Sequence, residues 1–239
     1  MKPWIEIASD KTLRGAKFSL SQRDKEFAIL VERKVLMLSR LHHSEDMLAP
    51  LGCTHAKTLE RPRVLIGGLG MGYTLRATLD ELPPKAEVVV AELMPAVLAW
   101  NQTYIAHLAG RPLDDKRARV ELGDIAVLIQ KSTAAFDAML LDVDNSPSAF
   151  TLPENGWLYR DDGLQVMKRA LRPGGTLAVW SADEDPAFEK RLTKNGFLAE
   201  TKRVRGRNAK GSPTHLIFLG TLPSDDSAGD RKKRRKWQP

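Results

Sequence analysis

The 239-residue sequence has one cysteine, Cys53, few aromatic residues and no long hydrophobic run. A single cysteine excludes an intramolecular disulfide and a cysteine-rich zinc site. A membrane helix needs about 18 or more consecutive apolar residues, so the sequence predicts no membrane span. The segment Met1 to Arg14 has charges among its apolar residues and lacks the apolar core of a signal peptide. We therefore expect a cytoplasmic protein without a bound metal and without contact with a membrane.

The positive charge is concentrated near the C-terminus. Of the formal net charge of +7, residues 231–236 supply six positive charges, three of which are offset by Asp225, Asp226 and Asp230. The Pro, Ser, Asp and Gly content of this segment cannot build a core, so residues 221–239 are predicted to be a disordered basic tail. Such a tail could make weak, non-specific contacts with nucleic acid. The alternative is a segment that only keeps the protein soluble.

A glycine-rich turn follows the first strongly apolar run, at Val64 to Leu75. An apolar run bounded by glycine predicts a buried parallel strand, and the amphipathic residues after it predict a helix. The glycines are Gly67, Gly68, Gly70 and Gly72. Because glycine has no Cβ, the backbone can approach a ligand closely, as it does where a doubly wound sheet binds a nucleotide-type cofactor. The spacing GxGxG differs from the GxGxxG of dinucleotide sites, and a tight turn without a ligand is the alternative.

From Arg63 onward, predicted strands and helices alternate, which is typical of an α/β fold with a doubly wound, mostly parallel sheet. Before it, a small N-terminal β-hairpin appendage is predicted, followed by a helix from Ser44, as N-cap, to about Leu59. The predicted domains are residues 1–43, 44–220 and 221–239. The appendage strands are predicted at 18–20, 26–31 and 34–38, and the seven strands of the main sheet at 64–66, 87–91, 118–122, 136–141, 176–180, 198–204 and 215–219.

Acidic residues end three successive strands of the predicted main sheet. Glu92 lies twenty residues beyond Gly72, the interval at which an acid binds ribose hydroxyls. Asp124 ends the next strand, where its carboxylate and the amide of Ile125 could bind an adenine edge. Asp142 ends the fourth strand and would face the reacting group. Each acid alone could be a helix cap, but together they predict a site for a nucleoside-bearing cofactor of the S-adenosyl kind.

Two loops beyond the fourth and fifth strands are acidic although the chain is basic overall. Asp142, Asp144 and Glu154 belong to one loop, and Asp183 to Asp185 form the other. Clustered carboxylates at the mouth of a cleft favour a small cationic amine and disfavour phosphate. An attacking amine must lose a proton, and we expect Asp142, with Asp144 as its partner, to accept it. The alternative is a solvated acidic rim without a role in substrate binding.

These residues resemble the spermidine synthases, the polyamine aminopropyltransferases. The resemblance rests on Gly67 to Gly72, Ala91-Glu92-Leu93, Gly123-Asp124 and the stretch Phe136 to Asp142. It implies a Rossmann-like fold of the class I S-adenosylmethionine methyltransferase type, with decarboxylated S-adenosylmethionine as group donor. It also implies ribose binding by Glu92, adenine binding by Asp124, an attacking putrescine-type amine at Asp142, and a homodimer.

The sequence departs from the family pattern at two places. The family's GGGDGG loop has an aspartate that binds the donor's amine, where this chain has Gly70. The family's DSTDP stretch has a second aspartate just before proline, where this chain has Ser146 in a stretch one residue longer. Both changes remove contacts to an aminopropyl donor or a diamine. An S-adenosylmethionine-dependent methyltransferase therefore stays open, as does a non-catalytic nucleic-acid-binding module that uses the basic residues between 203 and 210 and the tail.

Overall fold

The computed structural model describes residues 2–143, 147, 153–206 and 213–224. In this part of the chain, a four-stranded antiparallel sheet precedes a seven-stranded sheet that is covered by helices. The strands are β1 (Ile5–Lys11), β2 (Lys17–Arg23), β3 (Glu26–Val31), β4 (Lys34–Leu38), β5 (Arg63–Gly67), β6 (Glu87–Glu92), β7 (Ala118–Leu122), β8 (Phe136–Leu141), β9 (Leu171–Ser181), β10 (Leu198–Arg205) and β11 (Thr214–Thr221). The α-helices are α1 (His43–Gly52), α2 (Tyr73–Glu81), α3 (Pro95–Gln102), α4 (Ile125–Gln130), α5 (Asp161–Ala170) and α6 (Pro186–Lys194), and short 3₁₀ turns span Ala56–Thr58, Pro112–Asp114 and Pro153–Tyr159.

The main sheet has the order β10-β11-β9-β8-β5-β6-β7. Strands β5 to β9 pair in parallel, whereas β11 is antiparallel to both of its neighbours. The chain leaves the central β5 in one direction, through β6 and β7, and returns to pair β8 on its other side. Ligands of doubly wound sheets bind beyond the carboxyl ends of the strands at such a reversal. The predicted fold class is confirmed, and the reversal places the glycine turn beside the end of β8.

Alternate residues of the main sheet pack into two separate cores. Val64 and Ile66 of β5 face a core that includes α1, α2, α3 and the N-terminal sheet. Leu65 faces the opposite core, which includes α4, α5 and α6. This alternation explains why β5 and β8 have continuous apolar sequences, since both of their faces are buried.

The N-terminal region differs from the prediction in three respects. Strand β1 was missed, and it pairs with β2 at the edge of a four-stranded sheet. Helix α1 ends at Gly52 rather than near Leu59, and a 3₁₀ turn follows it. Ser44 is not the N-cap, because the helix begins at His43 and the Ser44 hydroxyl donates a hydrogen bond to the Glu45 side chain. The predicted domain boundaries stay a prediction, and residues 225–239 of the predicted tail lie outside the described residues.

Over the described residues, the helices are all too short or too polar to cross a membrane.

Candidate active site

The glycine turn is built against the end of β8. The backbone N–H of Asp142 donates to the carbonyl of Gly67 at 3.0 Å. Gly68 has φ +86°, and a Cβ at this position would lie 2.6 Å from the carbonyl oxygen of Asp142. A side chain at Gly68 would therefore both strain the backbone and push the end of β8 away. Glycine at this position is what allows the turn and Asp142 to lie side by side.

Gly70 faces the N-terminal sheet. Its φ is +52°, and a Cβ there would lie 2.8 Å from Cε of Met37 in β4. The Asn101 side-chain amide of α3 donates to the Gly70 carbonyl at 2.8 Å and fixes the turn from the other side. Met37 thus fills the space that a side chain at position 70 would enter. This is the physical counterpart of the sequence departure at this position.

Glu92 is buried at the end of β6 and holds the glycine turn. One carboxylate oxygen accepts the backbone N–H of Leu69 at 2.8 Å, and the other accepts that of Met94 at 2.7 Å. Burial raises the pKa of Glu92, and the hydrogen bonds from backbone amides oppose that rise. Each carboxylate oxygen has two lone pairs, so the group can accept ribose hydroxyls as well. Ribose binding by Glu92 stays a prediction.

Asp124 is exposed and is the N-cap of α4. Its side chain accepts the backbone N–H of Ala126 at 2.8 Å. Both Asp124 and Ile125 line the same cavity as Glu92. The capping role and a contact with adenine are compatible, because capping uses one carboxylate oxygen. The predicted contact with adenine is not tested by this geometry.

Asp142 is half-buried at the end of β8. The Thr74 hydroxyl of α2 donates to Oδ2 of Asp142 at 3.0 Å. Burial raises the pKa of Asp142 from 3.8 to about 6, although the bond from Thr74 favours the ionised form. A carboxylate with a raised pKa is a stronger base than an ordinary one, which suits a group that accepts a proton. Asp144, its predicted partner, lies outside the described residues.

A cavity of about 270 Å³ lies between the N-terminal sheet and the carboxyl ends of β5 to β9. Its walls are mostly apolar, with Phe18 and Ile29 from the N-terminal sheet and Trp180 from β9. Such walls suit the base and sugar of a nucleoside. The described residues contribute four titratable side chains to the lining, and all four are carboxylates: Glu45, Glu92, Asp124 and Asp142.

Glu45 is the lining carboxylate that the sequence interpretation missed. It lies in the first turn of α1, is 7% exposed, and accepts the Ser44 hydroxyl at 2.6 Å. Burial and the charge of Asp142 raise its pKa from 4.5 to about 7. In the sequence, the two acids after Ser44, Glu45 and Asp46, indicate only the first turn of a helix. The sequence holds no signal that separates Glu45 from its neighbour Asp46.

The acids of the second acidic loop were predicted to lie at the mouth of the cleft, but two of them have contacts elsewhere. Asp185 is the N-cap of α6 and accepts the backbone N–H of Phe188 at 2.9 Å. Glu184 pairs with Arg203 at 2.5 Å. The described lining of the cavity includes no residue of 183–185. Asp185 and Glu184 therefore have local contacts, and of the two acidic loops only Asp142, at the end of β8, lines the cavity among the described residues.

The strand order and the glycine turn define an α/β fold of the class I methyltransferase type, with a nucleoside-sized cavity. A model of the spermine/spermidine synthase domain matches residues 41–204, more than half of the chain. The chain belongs to the spermine/spermidine synthase domain family, and the predicted resemblance is confirmed.

Two curated relatives and one solved structure show how far the likeness extends. A polyamine aminopropyltransferase from Korarchaeum cryptofilum is 27% identical over 125 residues, which are 52% of this chain and 37% of the relative. Polyamine aminopropyltransferase 1 from Streptomyces coelicolor is 30% identical over 120 residues, 49% of this chain and 22% of the relative. The matches thus span less than half the length of either relative. The spermidine synthase structure from Thermotoga maritima has a TM-score of 0.69 at 17% identity, covering 92% of this chain and 73% of that one, and supports the fold.

Proposed function

We propose that the chain transfers an aminopropyl group from decarboxylated S-adenosylmethionine to a small cationic amine of the putrescine type. The observation that carries the proposal is the cavity lining, in which the titratable side chains of the described residues are all carboxylates. Family membership supports the same reaction class, because the relatives bear the name polyamine aminopropyltransferase.

The charge of the lining bears on which donor binds. Ordinary S-adenosylmethionine has a carboxylate, which needs a positive or N–H partner when it leaves water. The decarboxylated form lacks that group and keeps its ammonium and sulfonium charges. Four carboxylates around the cavity attract those charges and repel a fifth carboxylate. The lining therefore favours the aminopropyl donor over the methyl donor.

The residues of the glycine turn and the strand ends would hold the donor. Gly67, Gly68, Gly70 and Gly72 provide a close backbone surface, Glu92 accepts the ribose hydroxyls, and Asp124 with the Ile125 amide meets the adenine edge. The bound donor supplies a sulfonium whose neighbouring methylene carbon is open to attack, with neutral methylthioadenosine as leaving group. Little acid assistance is required for such a leaving group, so alignment and proton removal are the tasks left to the protein.

Asp142 is the residue that we assign to proton removal. Thr74 fixes Oδ2, and we assign the acceptor's ammonium to Oδ1. The carboxylate takes one proton from the ammonium, and the freed nitrogen lone pair forms the new C–N bond while the C–S electron pair returns to sulfur. Because the pKa of Asp142 is raised, it lies closer to the pKa of the acceptor's ammonium group than the pKa of an ordinary aspartate would. The smaller difference favours the proton transfer.

The test compares donors and then products. Calorimetry with decarboxylated and ordinary S-adenosylmethionine measures donor preference, and chromatography measures methylthioadenosine after putrescine or spermidine is added. We expect preference for the decarboxylated donor and amine-dependent release of methylthioadenosine. Asp142→Asn should reduce turnover far more than donor affinity. Preference for the ordinary donor without methylthioadenosine would overturn the proposal and favour methyl transfer.

The location and assembly of the protein are part of the proposal. We propose a cytoplasmic enzyme, in keeping with a single cysteine that is buried, and a homodimer by analogy with the family. Sedimentation velocity of the full chain measures the assembly. A gel shift with RNA that is lost on deletion of residues 222–239 would limit any contact with nucleic acid to the tail.

A further inference from the structure

Two carboxylates from different elements line the wall of the same cavity. Asp142 follows β8, and Glu45 lies in the first turn of α1. Both line the cavity, and each is held by a neighbouring hydroxyl: Ser44 donates to Glu45 at 2.6 Å, and Thr74 donates to Asp142 at 3.0 Å. Hydroxyl donors fix the orientation of a carboxylate without neutralising its charge.

Asp46, the acid next to Glu45, has the contacts expected of a carboxylate that only stabilises the first turn of a helix. Asp46 is partly exposed and pairs with His42, with 2.8 Å between its Oδ2 and the ring Nδ1. Glu45, one residue earlier, lines the cavity and is 7% exposed. Favourable contact with the helix dipole does not require burial, so the dipole alone does not explain this placement.

A close contact between α1 and the main sheet fixes the burial of Glu45. Gly52 at the end of α1 lies so near β8 that a Cβ there would come within 2.3 Å of the Leu140 side chain. α1 is held against β8 at this point, and its first turn contributes Glu45 to the cavity that Asp142, at the end of β8, also lines. The place of Glu45 in the cavity wall thus follows from the packing of α1 and does not depend on a flexible surface side chain.

The charged groups around the pair leave it net negative. His42 is the cation whose charge favours ionisation of Glu45, and its own hydrogen bond goes to Asp46. Glu92 and Asp124 also line the cavity and are acidic. Two coupled carboxyl groups in a poorly solvated wall do not both ionise at their ordinary pKa values, and they exchange protons as a pair. The raised pKa values of both groups agree with this.

We propose that Glu45 is a positioning residue that shares a proton with Asp142, so that the two carboxylates accept the acceptor's proton as one unit. This inference rests on the proposed function for the identity of the reaction. In the step, an ammonium R–NH3+ gives one proton to the doubly ionised pair, which then carries one proton and one negative charge. The nitrogen lone pair forms the C–N bond, the C–S pair returns to sulfur, and the shared proton passes to water before the next turnover.

The first test measures kcat/KM against pH for the full-length protein and for Glu45→Gln. The wild type requires both carboxylates ionised, so its acid limb should approach a slope of two below about pH 6. Glu45→Gln keeps only Asp142, so the acid limb of its pH profile should have a slope of one and a midpoint at lower pH than in the wild type. Glu45→Asp should restore a two-proton limb. Asp46→Asn makes the matching change of charge one residue away and should keep the slope of two, because both Glu45 and Asp142 remain.

The possible outcomes distinguish a proton shared between Glu45 and Asp142 from other roles of Glu45. A Glu45→Gln variant with the wild-type slope and midpoint would overturn the proposal. So would a variant whose donor affinity falls in parallel with its turnover, since Glu45 would then serve donor binding. A uniform loss of kcat at every pH, with the slope kept at two, would show a purely structural role and equally overturn it.

A second measurement does not depend on the reaction. Carbon-13 NMR of labelled carboxyl groups in the ligand-free protein should show two coupled titrations above pH 5 in the wild type. Glu45→Gln should remove one and move the other to lower pH. If the wild type shows this titration but releases no methylthioadenosine with any amine, the proposed function fails while the pair stands. If the wild type shows two independent titrations near pH 4, the pair fails whatever the reaction is.

Discussion

Replacing Glu45 with glutamine should stabilise the protein at neutral pH. Burial and the nearby charge of Asp142 raise the pKa of Glu45 from 4.5 to about 7 in the folded protein. In the unfolded chain, the carboxyl group is in water and has its ordinary pKa. At 1.36 kcal/mol for each pKa unit, ionising Glu45 in the folded state costs up to about 3 kcal/mol of stability. Glutamine has a similar shape and does not ionise.

The sign of the pH dependence follows from the protons that each state binds. Between about pH 4.5 and 7, folded Glu45 holds its proton while unfolded Glu45 has lost it. The contribution of Glu45 to the stability of the wild type therefore falls as pH rises through this window, in contrast to that of a carboxylate whose pKa is depressed. Below pH 4.5, both states are protonated and the penalty vanishes. Above about pH 7, the penalty is complete and constant.

The assay is urea unfolding followed by tryptophan fluorescence at intervals from pH 4.5 to 8.5. The free energy of unfolding of Glu45→Gln minus that of the wild type should increase by up to about 3 kcal/mol across this range. Asp46→Asn is the control, and its difference from the wild type should have the opposite sign, as a loss of stability at low pH that vanishes as pH rises. Asp46 raises the pKa of His42, so their interaction stabilises the protein below about pH 6.5 and is lost at higher pH. A constant difference for Glu45→Gln at all pH values would refute the burial argument.

Three further variants test the neighbouring structure. Gly68→Ala should lower the unfolding free energy by about 1–3 kcal/mol and weaken donor binding in calorimetry, whereas Gly15→Ala, at a similar φ but in open space, should leave donor binding intact. Asp137→Asn removes a buried charge that pairs with Arg172 at 2.7 Å and should cost about 3 kcal/mol in urea unfolding, with kcat of the folded protein unchanged. Glu92→Gln turns an amide toward backbone N–H groups and should weaken donor binding at least tenfold by calorimetry (about 1.4 kcal/mol).

Much of the main sheet could be predicted because its signals are local. An apolar run that is buried on both faces needs no partner to be recognised, and β5 and β8 are such runs. The glycine turn and the acids that end β6, β7 and β8 then follow from the strand boundaries. Parallel strands carry these ends to one edge of the sheet, so a shared site could be inferred without coordinates.

The missed strand β1 shows where local signals fail. Its sequence, IEIASDK, has no residue that is fully buried, and its burial pattern lacks the regular alternation of a half-buried strand. The strand exists because it pairs with β2, whose residues from Phe18 to Ser21 are all buried. Hydrogen bonding to a neighbour can hold an edge strand whose own side chains have little preference. The pairing depends on β2, so the sequence of β1 alone does not predict it.

Glu45 could not be predicted for a related reason, and it alters the chemistry that can be assigned to the site. Successive residues of a helix point about 100° apart, so Glu45 and Asp46 must face different surroundings. Which of the two faces inward depends on how α1 lies on β8, and that is fixed by the close approach of Gly52, seven residues later. From the sequence, the partner of Asp142 was expected in its own loop, at Asp144. Asp144 lies outside the described residues and stays a prediction, and the partner that we propose, Glu45, comes from a helix nearly a hundred residues earlier. The base of the proposed reaction would then be assembled by tertiary packing rather than by a local motif.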